Sequence, residues 1–284
     1  MSGRKNLPGL MEEAFGRVSI PEPRARAKVV RMPTEPGSAP SNTVKKMLAE
    51  LRLGGMAAAY NKQIAKPESV ALSFEMRLKH MLECEAKLRA RRRFKTRLRQ
   101  AGLRLPATVE MIDYDYARGL DRGQVQELTT CDWIKQHQDL IVCGPVGTGK
   151  TFLACALAHQ ACVLGYKALY RRLPDLLREL ARARREDRWE KTRAFLQKKD
   201  LLIIDDLGLD PLDQWQKMDL LDLLENRHGR RSTLVASPAP EADWPEVIGW
   251  STPAQAIVDR LAHPAHRITL AGHSMRRRQR PSRA

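Results

Sequence analysis

From residue 140 onward, short apolar runs alternate with longer stretches whose apolar residues recur every three or four positions. The runs LIVCG (140–144), KALYR (167–171), DLLIID (200–205), TLVAS (233–237) and RITL (267–270) have the length of strands. Helices are predicted between them, over 149–163, 174–185, 213–227 and 254–262. Such alternation implies crossover units and a mainly parallel sheet flanked by helices, an α/β core. Thr252 and Pro253 suit an N-cap followed by proline at the first helical position.

The first hundred residues follow another pattern. Between Thr43 and Gln100 the period is helical. Met47, Leu48 and Leu51 share a face, Gly54-Gly55 interrupts it, and Met56, Tyr60 and Ile64 resume it. After Lys66-Pro67 a longer helix carries Leu72, Leu78, Met81 and Leu82 and ends in KLRARRRFKTRLRQ. Gly102 and Pro106 open a linker, and DRGQVQELTT (121–130) reads as a helix with Asp121 as N-cap and Gln124 completing a capping box. Residues 1–42, rich in Pro and charge, show no apolar period and read as a disordered basic arm, or as sequence upstream of a working start at Met32. The expected organisation is this arm, a small all-helical domain (43–105), a linker with one helix (106–138), the α/β core (139–272) and a basic tail (273–284). No internal repeat is visible.

Charge sharpens this picture. The chain of 284 residues has 50 Lys and Arg against 33 Asp and Glu, a net +17. Residues 1–100 alone hold 22 basic against 9 acidic residues, so most of the excess is N-terminal. The basic end of the second helix (Arg89, Arg91, Arg92, Arg93, Lys95, Arg97, Arg99) has little to gain by packing on itself. Its cations either sit in water or meet phosphates, which makes them the candidate DNA contacts. Phe94 is the one aromatic among them, which favours phosphate-dominated, non-specific duplex binding over base stacking.

No apolar run reaches the ~20 residues of a membrane span, and MSGRKNLPGLMEEAF carries charge where a leader would be apolar. A soluble cytoplasmic protein without a membrane partner is expected. Five scattered cysteines without a CxxC pair suggest reduced thiols rather than a metal site.

The chemistry concentrates in GPVGTGKT (144–151), a complete G-x-x-x-x-G-K-[ST] between an apolar strand and the helix-forming FLACALAHQAC. Gly144, Gly147 and Gly149 let the loop wind so that amides of Pro145-Val146-Gly147-Thr148-Gly149 and the helix start up to Phe152 turn on a phosphate, proline itself lacking the N–H. Lys150 reaches the terminal phosphates, and the Thr151 hydroxyl suits Mg²⁺. In LLIIDDLG (201–208) Asp205 falls at the carboxyl edge of the sheet as the second metal group. Asp206 follows as the carboxylate that orients and deprotonates a water. The reading is an ATPase with ATP and Mg²⁺ as ligands. No Arg-rich lid of a small-molecule kinase is present.

The order of these motifs resembles the IstB-like ATP-binding proteins, transposition helpers of insertion-sequence elements, similar to the DnaC-type helicase loaders within the AAA+ superfamily. MLAELRLGGMAAAY, SFEMRLKHML, YARGLDRGQVQEL, GPVGTGKTFLA, LLIIDDLGL and AIVDRLAHPAHRITLAGHSMRRR carry the resemblance, from about residue 43 to 280. It implies a P-loop AAA+ ATPase that assembles on DNA as a homo-oligomer and recruits a transposase. A DnaC-like helicase loader and an ATP-gated DNA scaffold with little turnover are the alternatives. Arg260 matches an arginine finger acting in trans, although by itself it could equally be a salt-bridged helix residue. Arg276 matches a second nucleotide-sensing arginine. Pro238 stands where the family places an Asn or Gln that senses the γ-phosphate, with Ser237 or a water as substitutes. Pro264 replaces a common Asn and His273 a usual Glu.

Overall fold

A run of apolar residues can be a strand only where both of its faces are covered, and β-strand periodicity then divides its side chains between two layers. A computed structural model describes residues 40–275. Most of the basic arm, with Met32, and the tail with Arg276 lie outside the described residues. Tertiary contacts divide the chain between Leu53 and Gly54. Of the first unit, helix α1 (Pro40–Glu50) is described.

The second unit begins with α2 (Gly54–Ala65) and α3 (Phe74–Ala101). The helical period is thus broken at 51–53, and Gly54-Gly55 opens the helix that follows the break. A β-carbon on Gly55 would lie 2.6 Å from the Cys84 carbonyl oxygen and the Glu85 Cα, so only glycine allows this crossing of α2 and α3. The Glu85 carboxylate accepts from the Gly55 and Met56 amides at 2.6 and 3.2 Å, capping α2 from the neighbouring helix. Ser73 caps α3 through its hydroxyl, and left-handed Gly102 closes it.

Two short helices, α4 (Arg122–Thr129) and α5 (Asp132–Lys135), lead into the core. There follow β1 (Asp139–Cys143), α6 (Lys150–Leu164), β2 (Ala168–Arg172), α7 (Leu173–Arg185), α8 (Trp189–Gln197) and β3 (Leu201–Asp205). The chain continues through α9 (Gln214–Arg227), β4 (Ser232–Ser237), α10 (Trp244–Ile248), α11 (Thr252–Ala262) and β5 (Ala265–Thr269). Among the described residues the sheet has the order β2-β3-β4-β1-β5, every pair parallel. The expected P-loop α/β core with a mainly parallel sheet is borne out.

Alternate strand residues go to opposite layers. Leu140, Val142, Leu201, Ile203 and Tyr170 pack with α6 and the segment around Ala107 and Ile112. Ile141, Cys143, Leu202, Ile204 and Leu169 pack with α7, α9 and α11. The central strands β1, β3 and β4 are buried throughout, whereas β5 is largely half-buried or exposed, as an edge strand should be.

Three local readings change. Asp121 does cap α4, its carboxylate accepting from the Gln124 amide at 2.6 Å, but no capping box closes because the Gln124 side chain donates to the Arg267 carbonyl on β5. Thr252 is the first residue of α11 rather than its cap, which is Ser251. The basic end of α3 is not free on all sides. Phe94 meets the His159 ring edge-on at 5.5 Å, and Arg97 Nε donates at 3.0 Å to the Cys162 carbonyl near the end of α6, which also accepts from the Gly165 amide. The amphipathic stripe was hard to see because its packing face holds an arginine that spends its charge on backbone.

Candidate functional site

Between β1 and α6 the backbone turns through glycines in the left-handed half of conformational space. A β-carbon on Gly144 would strike the Leu270 carbonyl at 2.2 Å, and one on Gly147 the Ser274 hydroxyl at 2.1 Å. The loop is thus pressed against residues 270–275. Helix α6 starts at Lys150 behind Gly149, which offers no capping side chain, so its first amides are left to an external acceptor. Lys150 Nζ lies over the loop and donates to the carbonyls of Gly144 and Pro145 at 2.5 and 2.9 Å. Thr148 is buried, its hydroxyl bound to the Pro145 carbonyl. Val146 is exposed at the loop tip, while Phe152 packs against the core.

The Thr151 hydroxyl donates to Asp205 Oδ2 at 2.8 Å, joining the start of α6 to the end of β3. A hydroxyl and a carboxylate in contact at the carboxyl edge of a parallel sheet make a hard oxygen pair that fits Mg²⁺. Tyr170 on β2 donates to the same Oδ2 at 2.6 Å, and the Asp206 amide to Oδ1 at 3.0 Å. Burial, reinforced by Asp205, raises the Tyr170 phenol above its ordinary range, so it stays a donor. Sequence reasoning missed Tyr170, which reads there as one more apolar strand residue.

Asp206 adopts a left-handed backbone (φ 66°), uncommon for a residue other than glycine and costly enough to mark a constrained position. Its Oδ2 accepts from Arg172 Nε at 2.6 Å, and a second cation, Arg104 Nη1, lies 3.7 Å from the same atom. The hydrogen bond with Asp206 raises the Arg172 pKa. Neither arginine was singled out in the sequence.

Arg118 was also missed. It is buried under the phosphate loop, where Nη1 donates to the Thr148 carbonyl and Nη2 to the Asp113 carbonyl, both at 2.9 Å. Its own carbonyl accepts from the Ala271 amide at 2.8 Å, and the Met275 amide donates to the Gly147 carbonyl at 3.0 Å. Residues 113–118 and 270–275 thus strap the loop. The motif YARGL holds no sign of this, because the partner carbonyl is 30 residues away.

The substitutes for a γ-phosphate sensor fare differently. Ser237 is buried, and its hydroxyl donates to the Leu207 carbonyl while accepting from the Ala239 amide and the Trp244 indole. Its hydroxyl is thus engaged within the core. Arg260 stands on the last turn of α11, paired with Asp259 at 2.7 Å and with Glu225 at 3.8 Å. The fold does not bring it to the phosphate loop of its own chain. Helix α11 leads into the start of β5, and the Asp139 amide at the start of β1 bonds the Pro264 carbonyl, so Arg260 marks the edge opposite the loop. Of the basic residues of α3, Arg89 pairs with Glu85 at 2.7 Å and Arg97 serves α6. Arg91, Arg92, Arg93, Lys95 and Arg99 remain exposed. Arg276 is outside the described residues.

Residues 46–283 match the family described as IstB-like ATP binding protein. The chain belongs to this family. Among relatives, the insertion-sequence ATP-binding protein y4pL of Sinorhizobium fredii is 46% identical over 233 residues, 82% of this chain and 95% of that protein. The IS21 ATP-binding protein of Pseudomonas aeruginosa is 32% identical over 219 residues, 77% of this chain and 82% of that one. Among solved structures, DnaI is 20% identical with a TM-score of 0.49, over 58% of this chain and 91% of that chain. Among the described residues of this IstB-like protein, no helix is long and apolar enough to cross a membrane.

Proposed function

We propose that this IstB-like protein binds ATP with Mg²⁺, assembles on duplex DNA and acts as an ATP-hydrolysing helper of a transposase. The single observation that carries the reading is the contact of Thr151 with Asp205 beside the glycine loop and Lys150. Thr151 and Asp205 would hold Mg²⁺, Asp205 directly or through water. When bound, the ion neutralises phosphate charge. The loop amides and Lys150 hold the phosphates, and Asp206 orients the attacking water and takes its proton. Insertion-sequence relatives named as ATP-binding proteins support the transposition context.

Arg260 supplies the finger to a neighbouring subunit. A strand of five residues spans roughly 16 Å, and Arg260 and the phosphate loop stand at opposite ends of the strands. A finger on this chain therefore serves another chain's site, and the same geometry makes hydrolysis depend on assembly. Pro238 and the committed Ser237 favour slow turnover in the isolated protein, with ATP acting chiefly as an assembly switch.

Steady-state hydrolysis with and without duplex DNA tests this reading. Stimulation of a slow basal rate is expected, and rapid turnover by dilute, DNA-free protein would exclude the assembly switch. The DNA contacts are assigned to the exposed cations of α3. Changing Arg91, Arg92 and Arg93 to Ala should weaken duplex binding equally for all sequences and reduce the salt slope by about one unit per lost phosphate contact. Unchanged affinity and slope in binding isotherms at several salt concentrations would leave this face merely solvated.

A further inference from the structure

The segment that follows the basic helix enters the ATP site. Helix α3 ends at Ala101, Gly102 reverses the backbone at φ 59°, and Arg104 comes two residues later. Arg104 stands beside two groups of the site at once. Its Nη1 is 3.7 Å from Asp206 Oδ2, and its guanidinium sits against the Tyr170 hydroxyl, which itself donates to Asp205. Leu103 packs on the buried core, and the backbone of Arg104 and Leu105 faces the Cys155 thiol on α6. The linker is thus seated, and little slack separates the end of α3 from the guanidinium. At about 3.5 Å per extended residue, a shift of the helix end by a few ångströms must be carried into Arg104.

Asp206 is gripped from two sides that differ in kind. Arg172 is the last residue of β2, paired with β3 in the sheet, and moves with it. Arg104 comes from the linker behind a helix on which Arg91, Arg92, Arg93, Lys95 and Arg99 are all exposed. Its side chain is 45% exposed, so it can leave without disrupting a packed layer. A polyanion on α3 would act on Arg104 both through the helix end and by attracting the guanidinium itself.

We propose that Arg104 is a positioning residue of the ATP site, which helps Arg172 hold Asp206 out of service until DNA on α3 draws it away. The proposal rests on the reading of Asp206 as the group that handles the attacking water. It assigns the coupling between DNA and hydrolysis to one side chain, in cis, separate from the finger of a neighbouring subunit.

The test uses the full chain with Arg104→Ala and Arg104→Lys, measuring kcat and KM for ATP with and without saturating duplex DNA, together with melting temperature. Arg104→Ala should raise the DNA-free kcat by up to about 5-fold, the range of one partly exposed ion pair. It should leave KM, melting temperature and the DNA-saturated kcat unchanged, so that the stimulation ratio falls. Arg104→Lys should keep the parental ratio. The proposal is overturned if both rates fall together at the parental ratio, if neither changes, or if DNA does not alter the parental rate. Asp206→Asn in the same series separates the two levels. Turnover surviving in that variant brings down the role of Asp206, whereas a dead Asp206→Asn protein beside an unaltered Arg104→Ala ratio brings down only the coupling.

Discussion

Lys150→Ala is expected to abolish ATP binding, while Asp206→Asn leaves binding intact and stops turnover. The two residues act at different stages. Lys150 holds its ammonium over the loop carbonyls of Gly144 and Pro145, where an incoming phosphate would take their place as partner. A charge-assisted hydrogen bond contributes about 1.5–3 kcal/mol, and a point charge serving two phosphates more, so affinity should drop by at least about 100-fold. Asp206 instead pairs with Arg172 and Arg104. Asparagine has the same shape and keeps an oxygen for Arg172 but cannot take a proton. The loss in kcat should lie in the range of about 10²–10⁴ that general bases contribute. Nucleotide titration by fluorescence and single-turnover hydrolysis read the two steps separately. An Asp206→Asn protein hydrolysing at the parental rate would remove this residue from the mechanism.

Arg260→Ala should eliminate the DNA-stimulated part of hydrolysis, by about 10³-fold or more if it behaves as fingers do, with ATP binding nearly unchanged. Its partners Asp259 and Glu225 are exposed, and such pairs contribute little to stability, so folding should be unaffected. The decisive form of the experiment is a mixture. Lys150→Ala protein cannot hold ATP but presents an intact Arg260, whereas Arg260→Ala protein holds ATP and lacks the finger. Mixed on DNA, the two should recover activity that neither has alone. A mixture as inactive as its components would place the function of Arg260 within its own chain, against the separation of the two edges of the sheet.

What could be read along the chain differs from what had to be folded to be seen, and the difference lies in the range of the interactions. The phosphate loop was legible because its requirements are local: glycines at three left-handed positions, a strand before and a helix after, all between Asp139 and Leu164. The carboxyl edge was legible for the same reason, since four buried apolar residues force Asp205 to the end of β3. Segments with two roles were read less well. Arg184 on α7 stacks on the Trp189 ring of α8, and Arg97 on the packed face of α3 bonds a carbonyl, so the polarity of these residues hid the packing around them.

The sequence by itself determined the parallel α/β core, the phosphate loop, the acid pair and the family, because periodicity and motif spacing act over one element and its neighbour. Only the tertiary structure decided what surrounds that loop. Tyr170 meets Asp205 across 35 residues, Arg172 meets Asp206 across 34, and Arg118 meets Thr148 across 30. Arg104 meets the same Asp206 from the linker behind α3. It was also the fold that put Arg260 at the edge opposite the phosphate loop and committed Ser237 to the core. Parallel strands bring distant segments side by side at one edge, and a side chain's partner there is set by strand order and register, which no local pattern encodes.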